Sequence, residues 1–486
     1  MNISKIGTLG ELKASVYTPR SIKDELRKNL ISKIEQSEPI FTSVHGYEHT
    51  VIPQIQSAIL ARHNINLLGL RGQAKTRIAR TLVSLLDEYI PVVSGSQIND
   101  DPFNPISKYA KEQLEQHGDD TPISWMHRDE RFFEKLATPD VTVADLIGDV
   151  DPIKAANLKL SYDDERVIHY GMIPRANRCI FVINELPDLQ ARIQVSLFNI
   201  LQEGDVQIRG FQVRLPLDLQ FVFTANPEDY TNRGSIVTPL KDRIGSQIVT
   251  HYPRSIEIAK TITEQEAQID DSVKDGIHVP DLAKTLIEQI AVEARKSDYI
   301  DTKSGVSARL SISAYENLLS TAQLRILKNG EKSGVVRLSD FQGIIPSITG
   351  KVELVYEGEQ EGSENVALIL IGEAIKKLFS QQFIQMRKLS KEGEYGEFEA
   401  LVQWFISNPK LEIGFDMSEV DYIEALNAVG PLSNILEKYQ PKVSAKDKNF
   451  YLEFILWAMV ENGKLDKSRM SDGLEFADNL LGNLSR

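Results

Sequence analysis

The segment GLRGQAKT, residues 69 to 76, combines residue types and spacing that suit the binding of phosphate and Mg²⁺. It follows the pattern G-x-x-x-x-G-K-[ST], except that Ala74 stands in place of the last glycine. We expect backbone N–H groups of the loop to hold phosphate oxygens, Lys75 to reach the β- and γ-phosphates, and Thr76 to bind Mg²⁺. A glycine-containing turn with a solvated lysine is the alternative interpretation. The candidate nucleotide-binding residues here are Gly69, Gly72, Gln73, Ala74, Lys75, Thr76 and Arg77.

A second candidate group ends the apolar run CIFVIN, where Asn184 and Glu185 follow a predicted buried strand. Enzymes with a phosphate loop use an acidic residue at a neighbouring strand end to hold Mg²⁺ and position water. We expect Glu185 to be the general base that orients the attacking water. The common pair at this place is Asp-Glu, so Asn184 offers the metal an amide oxygen but no negative charge. This substitution weakens the expected metal site and leaves the hydrolysis rate open.

A third polar side chain, Asn226, ends the next predicted strand, FVFTAN. An amide beside the γ-phosphate would help to position the attacking water. Asparagine also commonly ends strands as a turn residue, so the position of Asn226 on the next strand in order is what favours a functional role.

These residues need a scaffold that brings several strand ends together, and the sequence predicts one. The runs NINLLGL, RCIFVINEL and LDLQFVFTANP are apolar without polar alternation, and helical patterns separate them. Such runs indicate a parallel sheet that is covered by helices on both faces. The predicted fold class is therefore α/β, with an all-α lid and a helical C-terminal domain after it.

The expected domain plan follows from shifts in pattern along the chain. It has an N-terminal helical segment at 1–40, an α/β core at 41–255, a helical lid at 256–390 and a helical C-terminal domain at 391–486. Two insertions are expected in the core. One is a long polar stretch at 94–165, and the other is a β-hairpin at 205–216 with Gly210 at its centre.

Composition narrows the function classes. The 486-residue chain has a formal net charge of −14, which repels nucleic acid over most of a protein surface. Its one cysteine, Cys179, excludes an intramolecular disulfide. No run approaches the ~18 apolar residues of a membrane helix, and the N-terminus lacks a signal-peptide pattern. We therefore expect a cytoplasmic protein without a membrane segment, for which a nucleic-acid partner is disfavoured.

The ordered series GLRGQAKT, FVINEL, FVFTANP, LKDRI and GVSARL resembles an AAA+ ATPase. It is most similar to the branch of MoxR-type ATPases and the magnesium chelatase I subunit, over about residues 40 to 330. The resemblance implies a P-loop AAA+ core that hydrolyses ATP to ADP with Mg²⁺.

By the same resemblance, several residues receive roles. Asn226 matches the sensor-1 residue, Arg243 the arginine finger that reaches a neighbouring subunit's nucleotide, and Arg309 the sensor-2 arginine of the lid. Gly46 and Tyr47, in VHGYE, resemble the segment that packs near the adenine. The resemblance also implies a ring homo-oligomer, by analogy a hexamer, and a protein partner of the integrin-type metal-site class. For either arginine, a surface ion pair is the alternative role.

Three functions are compatible with these observations. The leading hypothesis is an AAA+ motor, a MoxR-like chaperone-type ATPase that remodels or loads a protein partner. The second is the motor subunit of a magnesium chelatase, which drives Mg²⁺ insertion into a porphyrin. The third is an ATP-binding scaffold with weak hydrolysis, which Asn184 motivates. A DNA-acting motor is less favoured because the chain is acidic and has no recognisable DNA-binding module.

Overall fold

The computed structural model describes residues 6–161, 164–208, 214–227, 235–384, 396–408 and 410–478. The chain forms two compact units, residues 1–251 and 252–486, and each is described by itself. The strands of the first unit are β1 (Ile65–Leu68), β2 (Tyr89–Val93), β3 (Ile123–His127), β4 (Phe132–Leu136), β5 (Gly148–Val150), β6 (Ile168–Tyr170), β7 (Cys179–Asn184), β8 (Asp205–Gln207), β9 (Arg214–Pro216), β10 (Leu219–Ala225) and β11 (Ser246–Val249).

A parallel sheet with the order β11-β1-β10-β7-β4 forms the centre of the first unit. Every neighbouring pair in it is parallel, and Leu68 lies beside Ala225 where β1 and β10 end. The three strands predicted from apolar runs are β1, β7 and β10, which lie side by side. Because parallel strands end at one edge, the loops after them meet there.

Helices cover both faces of this sheet, as predicted. Alternate residues of β7 separate into two cores: Ile180 and Val182 pack on one face, whereas Phe181 and Ile183 pack on the other. The helices of the first unit are α1 (Leu9–Lys13), α2 (Ile22–Glu35), α3 (Val51–Leu60), α4 (Lys75–Thr81), α5 (Lys108–His117), α6 (Val143–Leu146), α7 (Pro152–Leu158), α8 (Met172–Arg175), α9 (Ala191–Ser196), α10 (Phe198–Gln202) and α11 (Thr238–Arg243).

The polar stretch at 94–165 contains an edge strand of the central sheet. Strand β4 pairs with β7 in parallel, with Glu134 beside Val182 and Leu136 beside Asn184. The pattern FFEKL did not indicate a sheet strand, because an edge strand keeps polar and partly exposed side chains. In the segment predicted as a hairpin, β8 and β9 pair antiparallel, and Gly210 lies outside the described residues.

The second unit is mainly helical, as predicted. Its helices are α12 (Ile256–Glu266), α13 (Asp271–Gly276), α14 (Asp281–Ala294), α15 (Arg309–Lys328), α16 (Ile345–Thr349), α17 (Tyr356–Glu361), α18 (Ser363–Gln382), α19 (Gly396–Ser407), α20 (Glu419–Ala428), α21 (Gly430–Tyr439) and α22 (Lys448–Glu461). It also contains a short parallel pair, β12 (Ile277–His278) and β13 (Gly334–Val335).

The C-terminal part of the second unit includes an antiparallel sheet that the sequence interpretation did not contain. Its order is β14-β16-β15, formed by β14 (Lys410–Gly414), β15 (Leu465–Arg469) and β16 (Gly473–Asp478). Within the described ranges, no helix combines the length and apolar character needed to cross a membrane.

Candidate nucleotide-binding site

The loop between β1 and α4 has a backbone that turns twice through the left-handed region. Gly72 has φ 73°, and Ala74, directly before α4, has φ 55° and ψ 18°. A left-handed alanine costs roughly 1–2 kcal/mol, so the surrounding contacts must hold this turn. Gly69 is required for a different reason: a Cβ there would lie 1.9 Å from Thr250 Oγ1 and 2.3 Å from Gln73 Oε1.

Lys75 joins this loop to a strand end. Its side chain is buried, and its ammonium group donates to the carbonyl oxygens of Gly69 and Leu70, the latter at 3.1 Å. It also donates to Asn226 Oδ1 at 2.6 Å, just beyond β10. The positive charge therefore lies inside the loop, at the edge where the strands end. Thr76 follows it in the first turn of α4 and is partly exposed.

Glu185 lies beside Asn226. The residue has φ 55° and ψ 51°, so the chain turns sharply at the end of β7. Asn226 Nδ2 donates to Glu185 Oε2 at 2.8 Å, and the Glu185 backbone N–H donates to Thr224 Oγ1 at 3.1 Å. Lys75, Asn226 and Glu185 thus form one hydrogen-bonded chain from the loop to the predicted general base.

Asn184 is held by its neighbours on two sides. Its Nδ2 donates to Glu134 Oε1 at 2.5 Å, and its Oδ1 accepts from Thr224 Oγ1 at 3.1 Å. The second oxygen of Glu134 accepts from Arg80 of α4 at 2.7 Å. The amide orientation is therefore set by a carboxylate on one side and a hydroxyl on the other.

The segment that precedes α3 packs directly against the loop. The hydroxyl of Tyr47 lies 3.0 Å from the carbonyl oxygen of Gln73 and 2.7 Å from that of His251. Gly46 has φ 83°, and its N–H donates to Glu48. The structure thus brings the predicted adenine-side segment next to the phosphate loop.

Arg77 and Gln73 fasten the loop region further. Arg77 donates from α4 to the carbonyl oxygen of Ser43 at 3.2 Å, and Thr250 Oγ1 donates to Gln73 Oε1 at 2.7 Å. Residues that precede and follow the central sheet in sequence, Ser43 and Thr250, therefore both hydrogen-bond to this loop region.

The oxygen groups near the loop suit Mg²⁺. Thr76 carries a hydroxyl, Asn184 an amide oxygen, and Glu134 and Glu185 carry carboxylates, all hard donors of the kind that Mg²⁺ prefers. Within the described part of the chain, no group of three or more His, Cys, Asp or Glu side chains is arranged to hold a metal ion. Hydroxyl, amide and carboxylate oxygens of this kind fit an ion that arrives with nucleotide phosphates.

Curated proteins resemble about half of this chain. No family model matches the chain. Two proteins called magnesium-chelatase 38 kDa subunit, from Cereibacter sphaeroides and Rhodobacter capsulatus, are 25% and 23% identical over 237 and 238 residues. The matches cover 47% and 48% of this chain, and 63% and 62% of the relatives. The chain fits the AAA+ branch of MoxR-type ATPases and the magnesium chelatase I subunit.

Solved structures similar to this chain include a complex between subunits BchI and BchD of magnesium chelatase. Its identity is 18%, with 66% of this chain and 98% of that chain covered and a TM-score of 0.35. Thermotoga maritima RuvB is 12% identical, with 96% and 93% covered and a TM-score of 0.33. Both scores are low. The curated relatives and the parallel sheet agree with the predicted fold. The chain spans less than two thirds of those relatives.

The two arginines with predicted roles belong to different units, Arg243 to the first and Arg309 to the second. Arg243, the last residue of α11, donates to Gln202 at 3.0 Å and to the carbonyl oxygen of Pro239 at 2.8 Å, and it lies over the Phe198 ring. Arg309 is exposed at the start of α15, in the second unit. Neither position by itself assigns a role.

Sequence reasoning missed three residues of this candidate site: Glu134, Thr224 and Thr250. Thr224 had a usable signal, because it precedes Asn226 by two residues and so shares its face of β10. Glu134 and Thr250 had none, because their places depend on which strands become neighbours in the sheet.

Proposed function

We propose that this chain is an AAA+ motor that hydrolyses ATP in a ring of identical subunits to remodel or load a protein partner. The observation that carries this proposal is the hydrogen-bonded chain Lys75–Asn226–Glu185. It connects a phosphate-binding ammonium group to an amide and then to a carboxylate. These are the groups that phosphoryl transfer to water requires for charge neutralisation, orientation and proton acceptance.

In the proposed reaction, Lys75 exchanges its loop carbonyl partners for the β- and γ-phosphates of ATP. Backbone N–H groups of residues 69–76 hold phosphate oxygens, while Tyr47 keeps the loop in position through the Gln73 carbonyl group. Glu185 accepts the proton of the attacking water, and Asn226 orients that water beside the γ-phosphate. Thr76 and Asn184 would hold Mg²⁺ when it binds with ATP, and the ion would supply neutralisation of the phosphate charge.

Completion of the site by a neighbouring subunit is the proposed reason for a ring, by analogy a hexamer. Arg243 ends α11 with a partly exposed guanidinium group that stacks on Phe198. Such stacking holds the group in place while leaving donors for a phosphate on another subunit. Arg309 is proposed as the lid arginine. The partner is proposed to be an integrin-type metal-site protein in the cytoplasm.

Steady-state ATP turnover measured against protein concentration tests this proposal. We expect turnover per subunit to rise with concentration, because a shared site needs neighbours. Arg243→Ala should lower turnover by about a thousandfold or more while ATP affinity stays within a few fold. Arg192→Ala, which removes an exposed arginine of α9, is the matched control and should behave as the unchanged protein.

A loss of ATP affinity equal to the loss of turnover in Arg243→Ala would count against a finger, because a finger acts in the transition state. Turnover that does not depend on concentration would argue against a shared site.

The motor subunit of a magnesium chelatase is the second candidate, and similarity to the two 38 kDa subunits supports it. The stretch at 94–165 and the added C-terminal block are features outside the expected plan of that subunit. Mg²⁺ insertion into protoporphyrin, with companion chelatase subunits present, distinguishes the two. Stimulation by this chain favours the chelatase, and its absence favours the remodelling motor.

A nucleotide-gated scaffold is the third candidate, and Asn184 supports it. The Asn184 side chain is neutral where an aspartate is usual, and its amide is already engaged by Glu134 and Thr224. Tight ATP binding with no measurable turnover at any protein concentration would establish the scaffold and exclude the motor.

A further inference from the structure

Glu134 occupies a position from which a carboxylate reaches the Asn184 side chain. It lies in the middle of the edge strand β4, and its Oε1 accepts from Asn184 Nδ2 at 2.5 Å. Its Oε2 accepts from Arg80 Nε at 3.2 Å and from the Arg80 terminal nitrogen at 2.7 Å. The Glu134 side chain is 24% exposed. The carboxylate is therefore fixed in direction but is still open to water.

Register explains why these groups meet. Glu134 lies beside Val182, and Leu136 lies beside Asn184. Because side chains alternate between faces, Glu134 and Asn184 project to the same face of the sheet, at the diagonal spacing that long side chains can bridge. Val182 packs on this face in the same core as residues of α4.

The helix that carries Arg80 also carries Thr76. They are four positions apart in α4, so they lie about one helical turn apart on one side of the helix. The Arg80–Glu134 ion pair thus ties the carboxylate to the helix whose first turn presents the hydroxyl predicted to bind Mg²⁺. The pair is largely exposed, so we assign it a role in orientation and not in stability.

We propose that Glu134 supplies the negative charge toward Mg²⁺ that an aspartate at position 184 supplies in the usual phosphate-loop pattern. This inference rests on the nucleotide-binding function proposed above. Asn184 is the positioning residue: it donates its amide to Glu134 and thereby directs the carboxylate toward the strand-end edge. A carboxylate accepts about four hydrogen bonds, and three are in use here, so acceptor capacity remains for the ion or its water shell.

A purely structural role makes a different prediction. If Glu134 served only to hold the Asn184 rotamer, a neutral amide at 134 would serve nearly as well, because its oxygen still accepts hydrogen bonds. The two roles therefore differ in charge and not in shape. Glu134→Gln separates them.

Mn²⁺ binding to the ADP complex, followed by electron paramagnetic resonance, is the direct test. Glu134→Gln should weaken Mn²⁺ binding in the presence of ADP by about tenfold or more, as expected when an ion loses a nearby carboxylate. ADP affinity measured in EDTA should stay within about twofold. Glu115→Gln, which removes one exposed carboxylate of α5, is the matched control and should leave both affinities unchanged.

The second experiment moves the carboxylate from position 134 to position 184. Asn184→Asp should restore Mn²⁺ affinity in the Glu134→Gln background. In the presence of Glu134 it should give a smaller gain, because two adjacent carboxylates disfavour each other's ionisation. Circular dichroism and thermal unfolding check that each variant is folded.

Mn²⁺ affinity within twofold of the unchanged protein in folded Glu134→Gln would overturn the inference. An equal effect of Asn184→Asp in both backgrounds would also overturn it, because the two positions would then act independently. Failure of the unchanged protein to bind ADP in EDTA, or with Mn²⁺, would instead defeat the proposed nucleotide function and this inference with it.

Discussion

The two ends of the central sheet both carry charged and polar side chains, but they are organised differently. At the carboxyl ends of β4, β7 and β10, the polar groups are Glu134, Asn184, Glu185 and Asn226, and these contact the loop lysine or one another. At the amino ends of the same strands lie Arg131, Arg178 and Asp218. Each group includes a left-handed residue, Glu185 with φ 55° and Arg178 with φ 64°, and the first group reaches the loop between β1 and α4 through Lys75.

The amino-end group is closed by the N-terminal segment. Arg131 forms a bidentate ion pair with Glu25 of α2, with its two terminal nitrogens 2.6 and 2.7 Å from the two carboxylate oxygens. The two side chains are only 1% and 5% exposed. Arg131 also donates to the carbonyl oxygen of Arg178. Asp218 accepts from the first N–H of α2, at Ile22. The charged groups at this end of the sheet therefore bind one another and the start of α2.

The difference shows that buried charge alone does not identify a functional site. The ion pair of Arg131 with Glu25 is more deeply buried than the groups at the carboxyl end. Its hydrogen bonds nevertheless only join the sheet to α2 and to a neighbouring turn. At the carboxyl end, the polar groups lie at the edge where ligands of open α/β sheets bind. Position on the sheet therefore distinguishes a candidate functional group from a structural one.

The largest expected effect that sharpens this comparison is at the carboxyl end. Glu185→Gln should lower ATP turnover by about 10²- to 10⁴-fold, because a neutral amide cannot accept the proton of water. Its unfolding midpoint in urea should stay close to that of the unchanged protein. Turnover assays paired with urea unfolding measure both quantities, and a variant that keeps near-normal turnover would remove Glu185 from the reaction.

The next effect is at the amino end and should be one of stability. Arg131→Met leaves the buried Glu25 carboxylate without its guanidinium partner, so the free energy of unfolding should fall by about 3–5 kcal/mol. Nucleotide affinity of the folded protein should not change. Equilibrium unfolding by urea gives the loss.

The double variant Glu25→Leu with Arg131→Met is the control for that result. It removes both charges and should recover much of the stability. A single variant as stable as the unchanged protein would contradict the claim that this pair closes the amino end.

The smallest expected effect is a pH dependence at Asp218. Burial raises the pKa of this carboxyl from its ordinary value near 3.8 to about 6, against the lowering effects of the Ile22 N–H and Arg178. The folded state therefore binds a proton more tightly than the unfolded state does. The contribution of Asp218 to stability rises as pH falls through about 6 and is complete below about 4.

Comparison with Asp218→Asn isolates this contribution. Relative to that variant, the unchanged protein should gain up to about 3 kcal/mol in the free energy of unfolding between pH 7 and pH 4, at about 1.4 kcal/mol per pKa unit. Urea unfolding at a series of pH values measures the difference. Parallel pH profiles for the two proteins would show that Asp218 does not titrate in this range.

Much of the α/β core of the first unit could be predicted from sequence because its signals are local. The strands β1, β7 and β10 are short apolar runs, and the loop pattern depends on spacing within eight residues. These signals also placed Lys75, Glu185 and Asn226 at one edge, since parallel strands end together. The structure then showed that the three side chains are in contact.

The parts that could not be predicted depend on pairing between distant segments. Strand β4 mixes polar and apolar residues and so gives no strand signal in the sequence. Its register with β7 is what brings Glu134 within hydrogen-bonding distance of Asn184. The small C-terminal sheet joins β14 to β16 across more than fifty residues. Roles for Arg243 and Arg309 came from family resemblance, and they remain predictions because each depends on parts beyond a single compact unit.

The left-handed backbone at Glu185 has a consequence for which sequences can occupy the end of β7. In a regular strand, residues 184 and 185 would serve opposite faces of the sheet. The left-handed torsion at Glu185 breaks that alternation. Two consecutive side chains therefore contact neighbouring residues at the end of β10: Asn184 contacts Thr224, and Glu185 contacts Asn226. A β-branched residue at 185 would resist this torsion, even if it carried a suitable functional group. A residue at position 185 must therefore tolerate the left-handed backbone before its acidity can matter.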